Sequence, residues 1–262
     1  MSSSASQIQP LTFYDIASKD GVGPWSLNTW KARFALNYKG IPYKTIFLSY
    51  PDIEPEMRKI GAAPGIQVPG FTLYTCPVIV DPNHSNVVIS DSFKIAVHLD
   101  DKYPDTPRVL PPGTRALQKA FVQLHFETIF RPVAEIVCPA CPENLESPRA
   151  REYFERTRLK WFGKPLEEWI PSADRAAHWK KLEEAHAKIG ALYDQAKEEF
   201  GVEDTFMMGT EPSFADFLVA GGMLWIKKFM REPGDGWDIV RTWEDGRWEK
   251  LLTRLEPYMD EH

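Results

Sequence analysis

Cysteine is scarce. Three residues in 262 are an odd number and too few for a disulfide framework, which points to a reducing, cytoplasmic setting. Basic clusters are missing too. Lys and Arg total 31 against 37 Asp and Glu, a net charge of −6 with a pI of about 5.6. No Lys/Arg patch is available to hold a phosphate backbone, so nucleic acid is not an expected partner. No apolar run reaches the ~20 residues of a membrane helix, so no membrane contact is expected either. Met1 to Pro10 is polar and Ser-rich, without the basic-then-apolar order of a signal peptide, and it is expected to be disordered. Internal repeats are absent.

Aromatic residues, by contrast, are plentiful: 13% of the chain, with nine Trp. Surplus aromatic surface often lines a binding cleft. Leu11 to Ala17 reads as a strand, and Trp30, Phe34, Ala35 and Tyr38 share one face of a helix over 27–38 that Gly40 ends. Tyr43 to Tyr50 reads as a second strand, parallel to the first because a helix joins them. A short acidic helix follows and stops at Gly61, and residues 62–75 look irregular, with Pro64, Gly65, Pro69 and Gly70. Cys76 to Asp81, an apolar strand with proline at its start, and Val87 to Ile89 form a hairpin, and Ser90-Asp91-Ser92 caps a helix to about Tyr103. The order is β-α-β-α-β-β-α. Residues 103–113 then hold four prolines and a glycine, a linker composition. Beyond them the pattern is helical only: 114–137, a broken region 148–170, the strongly periodic 172–200, 213–230, and 247–258.

Several residues could carry chemistry. Ser26 falls where a helix N-cap hydroxyl belongs, at the point where a strand turns into a helix and leaves unpaired N–H groups. It can serve the helix, a bound anion, or both. Asn28 stands two residues on. Pro77 opens a strand, where proline is an edge residue, a first residue, or a cis residue in a turn. If it is cis, the backbone of Cys76 faces outward and can pair with an extended peptide. Asp91-Ser92 offers a carboxylate and helix N–H groups. Ser213 to Asp216 has the spacing of a capping box. Tyr14 and His186 read as core. Cys138 and Cys141 end a helix, and no second cysteine pair exists to make a zinc site.

The order of elements, together with four short stretches, resembles the glutathione transferase superfamily over nearly the whole chain. Trp30-Lys-Ala-Arg-Phe-Ala-Leu-Asn-Tyr-Lys-Gly40 looks like the first helix of that family, with Ser26 where theta-like classes hold a catalytic serine. Cys76-Pro77-Val78-Ile79 is similar to its cis-proline strand, Asp91-Ser92 to its acidic-Ser pair, and Ser213 to Asp216 to its capping motif. Pro24 to Lys31 and Tyr50 to Glu54 most resemble the fungal etherase-like FuA class.

The resemblance implies a thioredoxin-like domain over 11–103, a linker over 104–113, and an all-helical domain over 114–262. It implies glutathione as co-substrate, bound by Cys76, Pro77, Asp91 and Ser92, with Ser26 and Asn28 as the catalytic residues at the sulfur. An aromatic or polyphenolic ligand would meet Trp25, Phe126 and Phe130, with Trp161 and Trp225 as further candidates. A homodimer without a metal is expected. The implied activity is conjugation or ether thiolysis by a serine-stabilised thiolate, with peroxidase chemistry as a side activity. A ligandin or a regulatory relative of the same fold is the alternative.

Overall fold

A computed structural model describes residues 8–203 and 205–261. Residues 1–7 of the stretch expected to be disordered lie outside them, and Gln9 already exchanges backbone hydrogen bonds with the Asn83 side chain. The chain runs β1 (Leu11–Ile16), α1 (Leu27–Lys39), β2 (Tyr43–Leu48), α2 (Tyr50–Lys59), β3 (Ile66–Val68), β4 (Phe71–Leu73), β5 (Val78–Asp81), β6 (Val87–Ser90) and α3 (Ser92–Lys102). β1 is central and buried almost throughout, as its near-continuous apolar run requires. It pairs in parallel with β2 from Leu11↔Tyr43 to Ile16↔Leu48, and antiparallel with β5 through Tyr14↔Val78. β6 completes the order β2-β1-β5-β6.

Residues 62–75 are not irregular. β3 and β4 form a separate antiparallel hairpin that turns at Pro69-Gly70, where Gly70 takes a φ of 77°. Proline followed by glycine with positive φ suits the centre of a tight turn. Phe71 of this hairpin meets Trp161 edge-on at 5.8 Å.

The helical half comprises α4 (Arg115–His125), α5 (Arg131–Val137), α6 (Pro148–Phe162), α7 (Arg175–Phe200), α8 (Phe214–Phe229), α9 (Trp237–Val240) and α10 (Trp243–Leu255, kinked at Glu244–Gly246). The helix expected over 114–137 carries a π-turn at Phe126–Phe130 between α4 and α5. Such turns are rare and tend to occur at functional sites.

α8 is the axis of this half, buried along nearly its full length. It lies directly against α1: a Cβ on Gly221 would sit 2.7 Å from the Leu27 carbonyl oxygen, so only glycine permits the approach. Phe34 stacks on Phe217 at 5.3 Å across the same seam. The proline-rich crossing between the halves is also anchored. Asp100, fully buried, accepts from Lys39 Nζ at 2.8 Å and from the N–H groups of Val109 and Leu110 at 3.1 and 2.8 Å. The two halves therefore share one core, and α1 faces both.

Candidate functional site

Topology brings three loop ends together. β1 runs toward the loop that enters α1 at Ser26. β5 is antiparallel to β1, so Cys76-Pro77 precedes β5 beside the carboxyl end of β1. β6 is antiparallel to β5, with Ser90 opposite Val78, so Asp91-Ser92 emerges at the same end. The N-termini of α1 and α3 consequently open on one edge of the sheet, and α1 packs against α3. Both helix dipoles direct their positive ends there.

The loop over residues 18–25 is held from several sides. Ser18 Oγ donates to the Gly23 carbonyl, Trp30 Nε1 to that of Pro24, and Lys228 Nζ to that of Val22, at 2.9, 3.1 and 3.0 Å. Ser26 is buried and caps α1, its Oγ accepting from the Asn28 N–H at a long 3.3 Å. The hydroxyl proton has no acceptor among the described residues, so it is free to donate outward.

Asn28 is half-buried, and its Oδ1 accepts from Lys31 Nζ at 2.8 Å. An ammonium can only donate, so this bond fixes Oδ1 toward Lys31 and turns Nδ2, a donor, the other way. Burial lowers the Lys31 pKa to about 8, Asp91 pulls it back up, and Lys119 adds to the fall. Lys31 is thus a buried cation within electrostatic reach of both helix N-termini. The apolar face of α1 concealed it from sequence reading. Its spacing of i+3 from Asn28 was the available signal.

The Cys76–Pro77 peptide is cis. Cys76 gives neither its N–H nor its C=O to any backbone hydrogen bond among the described residues. Its thiol is buried, which pushes the pKa well above the ordinary value, and Asp15 adds to the rise. The backbone, not the sulfur, is therefore the chemical feature at this position.

Asp91 takes φ 81° and ψ 123°, a region that non-glycine residues avoid. Its Oδ1 accepts from the N–H groups of Phe93 and Lys94 at 2.9 and 3.0 Å. Oδ2 has no partner among the described residues. A strained backbone held at a helix cap, with one carboxylate oxygen uncommitted, is the pattern of a clamp. Ser92 is buried at the first turn of α3.

The expected ligand-binding aromatics separate. Trp25 is 2% exposed; it stacks on Phe229 at 4.9 Å and neighbours Trp225 and Tyr50. Trp25 and Trp225 therefore belong to the core between the halves and do not line a cleft. Phe126 and Phe130 stack at 5.0 Å in the π-turn, with Phe126 55% exposed. His125, next to Phe126, is close enough for the Lys31 charge to act on it, which places the start of the π-turn on the α1 side. Trp161 packs instead under Arg158 and against Phe71. No ring contact among the described residues joins it to Phe126 or Phe130. Cys138 and Cys141 are free thiols, and Tyr14 and His186 are buried.

A four-stranded mixed sheet with a cis-proline edge, followed by a helical half, defines a thioredoxin-like transferase architecture. The chain belongs to the glutathione S-transferase family: the model for the N-terminal domain matches residues 25–102 and that for the C-terminal domain residues 116–258. It is 33% identical to the glutathione S-transferase-like protein ustS of Aspergillus flavus, over 92% of this chain and 93% of that one. Among solved structures, it is similar to the glutathione S-transferase CsGST63524 of Ceriporiopsis subvermispora in complex with glutathione (40% identity, TM-score 0.88, 96% of this chain and 98% of that one). It is also similar to GSTFuA2 of Phanerochaete chrysosporium (37% identity, TM-score 0.87, 97% and 100%).

Proposed function

We propose that this chain is a glutathione transferase that ionises glutathione at the N-terminus of α1 and passes the sulfur to apolar aromatic electrophiles or ethers. The observation that carries this reading is the convergence of three features on one sheet edge: the undirected Ser26 hydroxyl, the unused Cys76 backbone and the uncommitted Asp91 oxygen. A γ-glutamyl tripeptide has a group for each. Its α-ammonium suits Asp91, its α-carboxylate suits the N–H groups of α3 at Ser92, its extended backbone pairs with Cys76, and its sulfur reaches Ser26. CsGST63524 was solved with glutathione, which makes this the ligand to test first.

An ordinary thiol titrates near 8.5. A positive helix end and one hydroxyl donor favour its thiolate, so the fraction ionised at neutral pH rises. Asn28 Nδ2 is the second donor. The thiolate then attacks carbon, a C–S bond forms, and the leaving group departs with its electron pair. For an aryl ether that group is a phenolate, which water protonates. Phe126 and Phe130 offer the apolar face for the aromatic part, and a homodimer is the working unit implied by resemblance. A ligandin that holds polyphenols without turnover is the second reading, favoured only by the exposed Phe126–Phe130 stack.

Thermal shift with glutathione, together with conjugation and thiolysis assays, tests the proposal. Wild type gains stability with glutathione and turns over; the absence of a shift sinks the transferase reading, and a shift without turnover supports the ligandin. Ser26→Ala lowers kcat/KM by roughly 10–100-fold, the weight of one hydrogen bond to a charged group. Equal activity in that variant removes Ser26 from the mechanism. Lys31→Met frees the Asn28 amide to rotate and raises KM for glutathione by roughly 3–10-fold, the weight of an ordinary hydrogen bond. Lys31→Gln, which keeps a donor, recovers part of the loss. An unchanged KM in Lys31→Met would mean that Asn28 is oriented without it.

A further inference from the structure

At the opposite end of β5 from Pro77 lies a cluster that the transferase reading does not use. Asp81 is fully buried, and its Oδ2 stands 2.8 Å from His84 Nδ1 and 2.7 Å from His98 Nε2. These three atoms all lie within 4.8 Å of one another. Asp81 ends β5, His84 sits in the single turn Pro82–His84, and His98 comes from α3. They are separated by three and fourteen positions and fall on a strand, a turn and a helix, so no sequence spacing announces them.

A buried carboxylate needs donors, and most of that need is already met. Oδ1 accepts from the Asn83 N–H at 2.9 Å, from Asn83 Nδ2 at 3.2 Å and from the Tyr103 hydroxyl at 2.9 Å. Tyr103 also reaches Oδ2 at 2.9 Å. Both imidazoles nevertheless converge on that one oxygen. The outer ring nitrogens, His84 Nε2 and His98 Nδ1, make no hydrogen bond within the described residues. The scaffold is fixed: Asn83 is tied to Gln9 by two hydrogen bonds, and Ser85 and Asn86 close the turn in the left-handed region.

We propose that Asp81, His84 and His98 form a binding site for a divalent cation of zinc's class, with water as the fourth ligand. Two imidazoles and one carboxylate are a donor set for zinc, whereas magnesium and calcium call for shells of oxygen. Bonds of 2.0–2.1 Å in a tetrahedron set ligand atoms about 3.3 Å apart. The present O···N separations need widen by only about half an ångström. His84, with 30% of its side chain exposed, gives the cation and its water a way in.

Asn83 and Tyr103, both on the carboxylate, are the outer partners that hold such a ligand in place. On binding, the cation takes the place of the hydrogen bonds that join His84 Nδ1 and His98 Nε2 to Asp81 Oδ2.

Calorimetric titration of the full reduced chain with Zn2+, and visible spectroscopy with Co2+, provide the test. We expect one equivalent per chain and a tetrahedral cobalt band without thiolate-to-cobalt charge transfer. His84→Gln and His98→Gln each weaken binding at least tenfold, and Tyr103→Phe weakens it 10–100-fold. Urea midpoints of all variants in EDTA confirm that they fold, and His84→Gln, the most exposed change, serves if His98→Gln does not. No saturable binding in wild type, unchanged affinity in the folded histidine variants, or a thiolate charge-transfer band would overturn the site. None of these readouts depends on glutathione.

Discussion

Replacing Asp216 with alanine should remove about 3–5 kcal/mol of stability, because its carboxylate is the shared acceptor of several buried donors. Asp216 is fully buried at the start of α8. One oxygen accepts from the Ser213 N–H and Oγ, both at 2.8 Å, and the other from the Met207 N–H at 2.9 Å and the Tyr193 hydroxyl at 3.0 Å. Alanine leaves two backbone donors, a serine hydroxyl and a phenol without this acceptor in a dry core, at about 1–3 kcal/mol for each unsatisfied group. The nearby acceptors are already engaged, the Val109 carbonyl by the Phe214 N–H and Gln118 Oε1 by the Ala215 N–H at 3.1 Å, so neither is spare to replace the carboxylate. Because α8 supports α1 through Gly221 and Phe217, the loss reaches the site edge as well as the helical half. Urea unfolding of Asp216→Ala beside Ser213→Ala measures it. Ser213→Ala, a single cap hydroxyl, should cost about 1 kcal/mol. A similarly small loss in both variants would mean that Asp216 is only a cap.

That motif was legible because it is local: a hydroxyl, a carboxylate three positions on, and an apolar run. The same holds for Ser26 before α1, Pro77 at the start of β5 and Asp91 before α3, each recognisable from neighbours within one turn. The β3–β4 hairpin was not legible. Its strands are three residues each, and Pro64, Gly65, Pro69 and Gly70 around them carry the composition of a loop. The π-turn was hidden because Phe126 to Phe130 continue an apolar helical period, and the extra residue shows only in the backbone.

Side-chain fate beyond the local turn was the weaker part. The resemblance put Trp25 among the ligand-binding residues, yet Phe229 and Trp225, some two hundred positions away, take it into the core. Aromatic abundance here measures the seam between the halves more than it measures a pocket. Lys31 was missed for the converse reason. On a helix read by its apolar face, Trp30, Phe34, Ala35 and Tyr38, a lysine off that face reads as a solvated edge. Only the fold reveals that it is buried, bonded to Asn28 and within reach of the Asp91 charge. Local caps mark where the site begins, and the second helical layer decides which side chains complete it.

Acid should destabilise the helical half earlier than carboxylates alone would. His125 and His186 are both buried. Burial lowers the His125 pKa to about 3, with His186 and Lys31 adding to the fall. Burial likewise lowers that of His186 to about 4, against a hydrogen bond to the Leu182 carbonyl that pulls it up. Both bases titrate near 6.5 once unfolded. Below that pH the unfolded chain binds more protons than the folded one, so stability falls with pH. The contribution is complete above about 6.5 and is lost as pH drops toward 4 and 3. At pH 4.5 each histidine gives up roughly 2–3 kcal/mol, about 1.4 kcal/mol per unit of pH below 6.5.

Carboxylates contribute mainly below about pH 5, so the slope between 6.5 and 5 belongs chiefly to imidazoles. His186→Phe keeps a ring between Trp243 and Trp248, which lie 5.4 and 5.5 Å from the imidazole, and His125→Phe does the same beside Phe121. Each variant should lose its share of that slope, and the pair should flatten it. Urea midpoints measured at half-unit steps from pH 7.5 to 4.5 decide the matter. Parallel curves for wild type and both variants would mean that the rings are protonated in the folded chain, and that the acid sensitivity lies in the carboxylates.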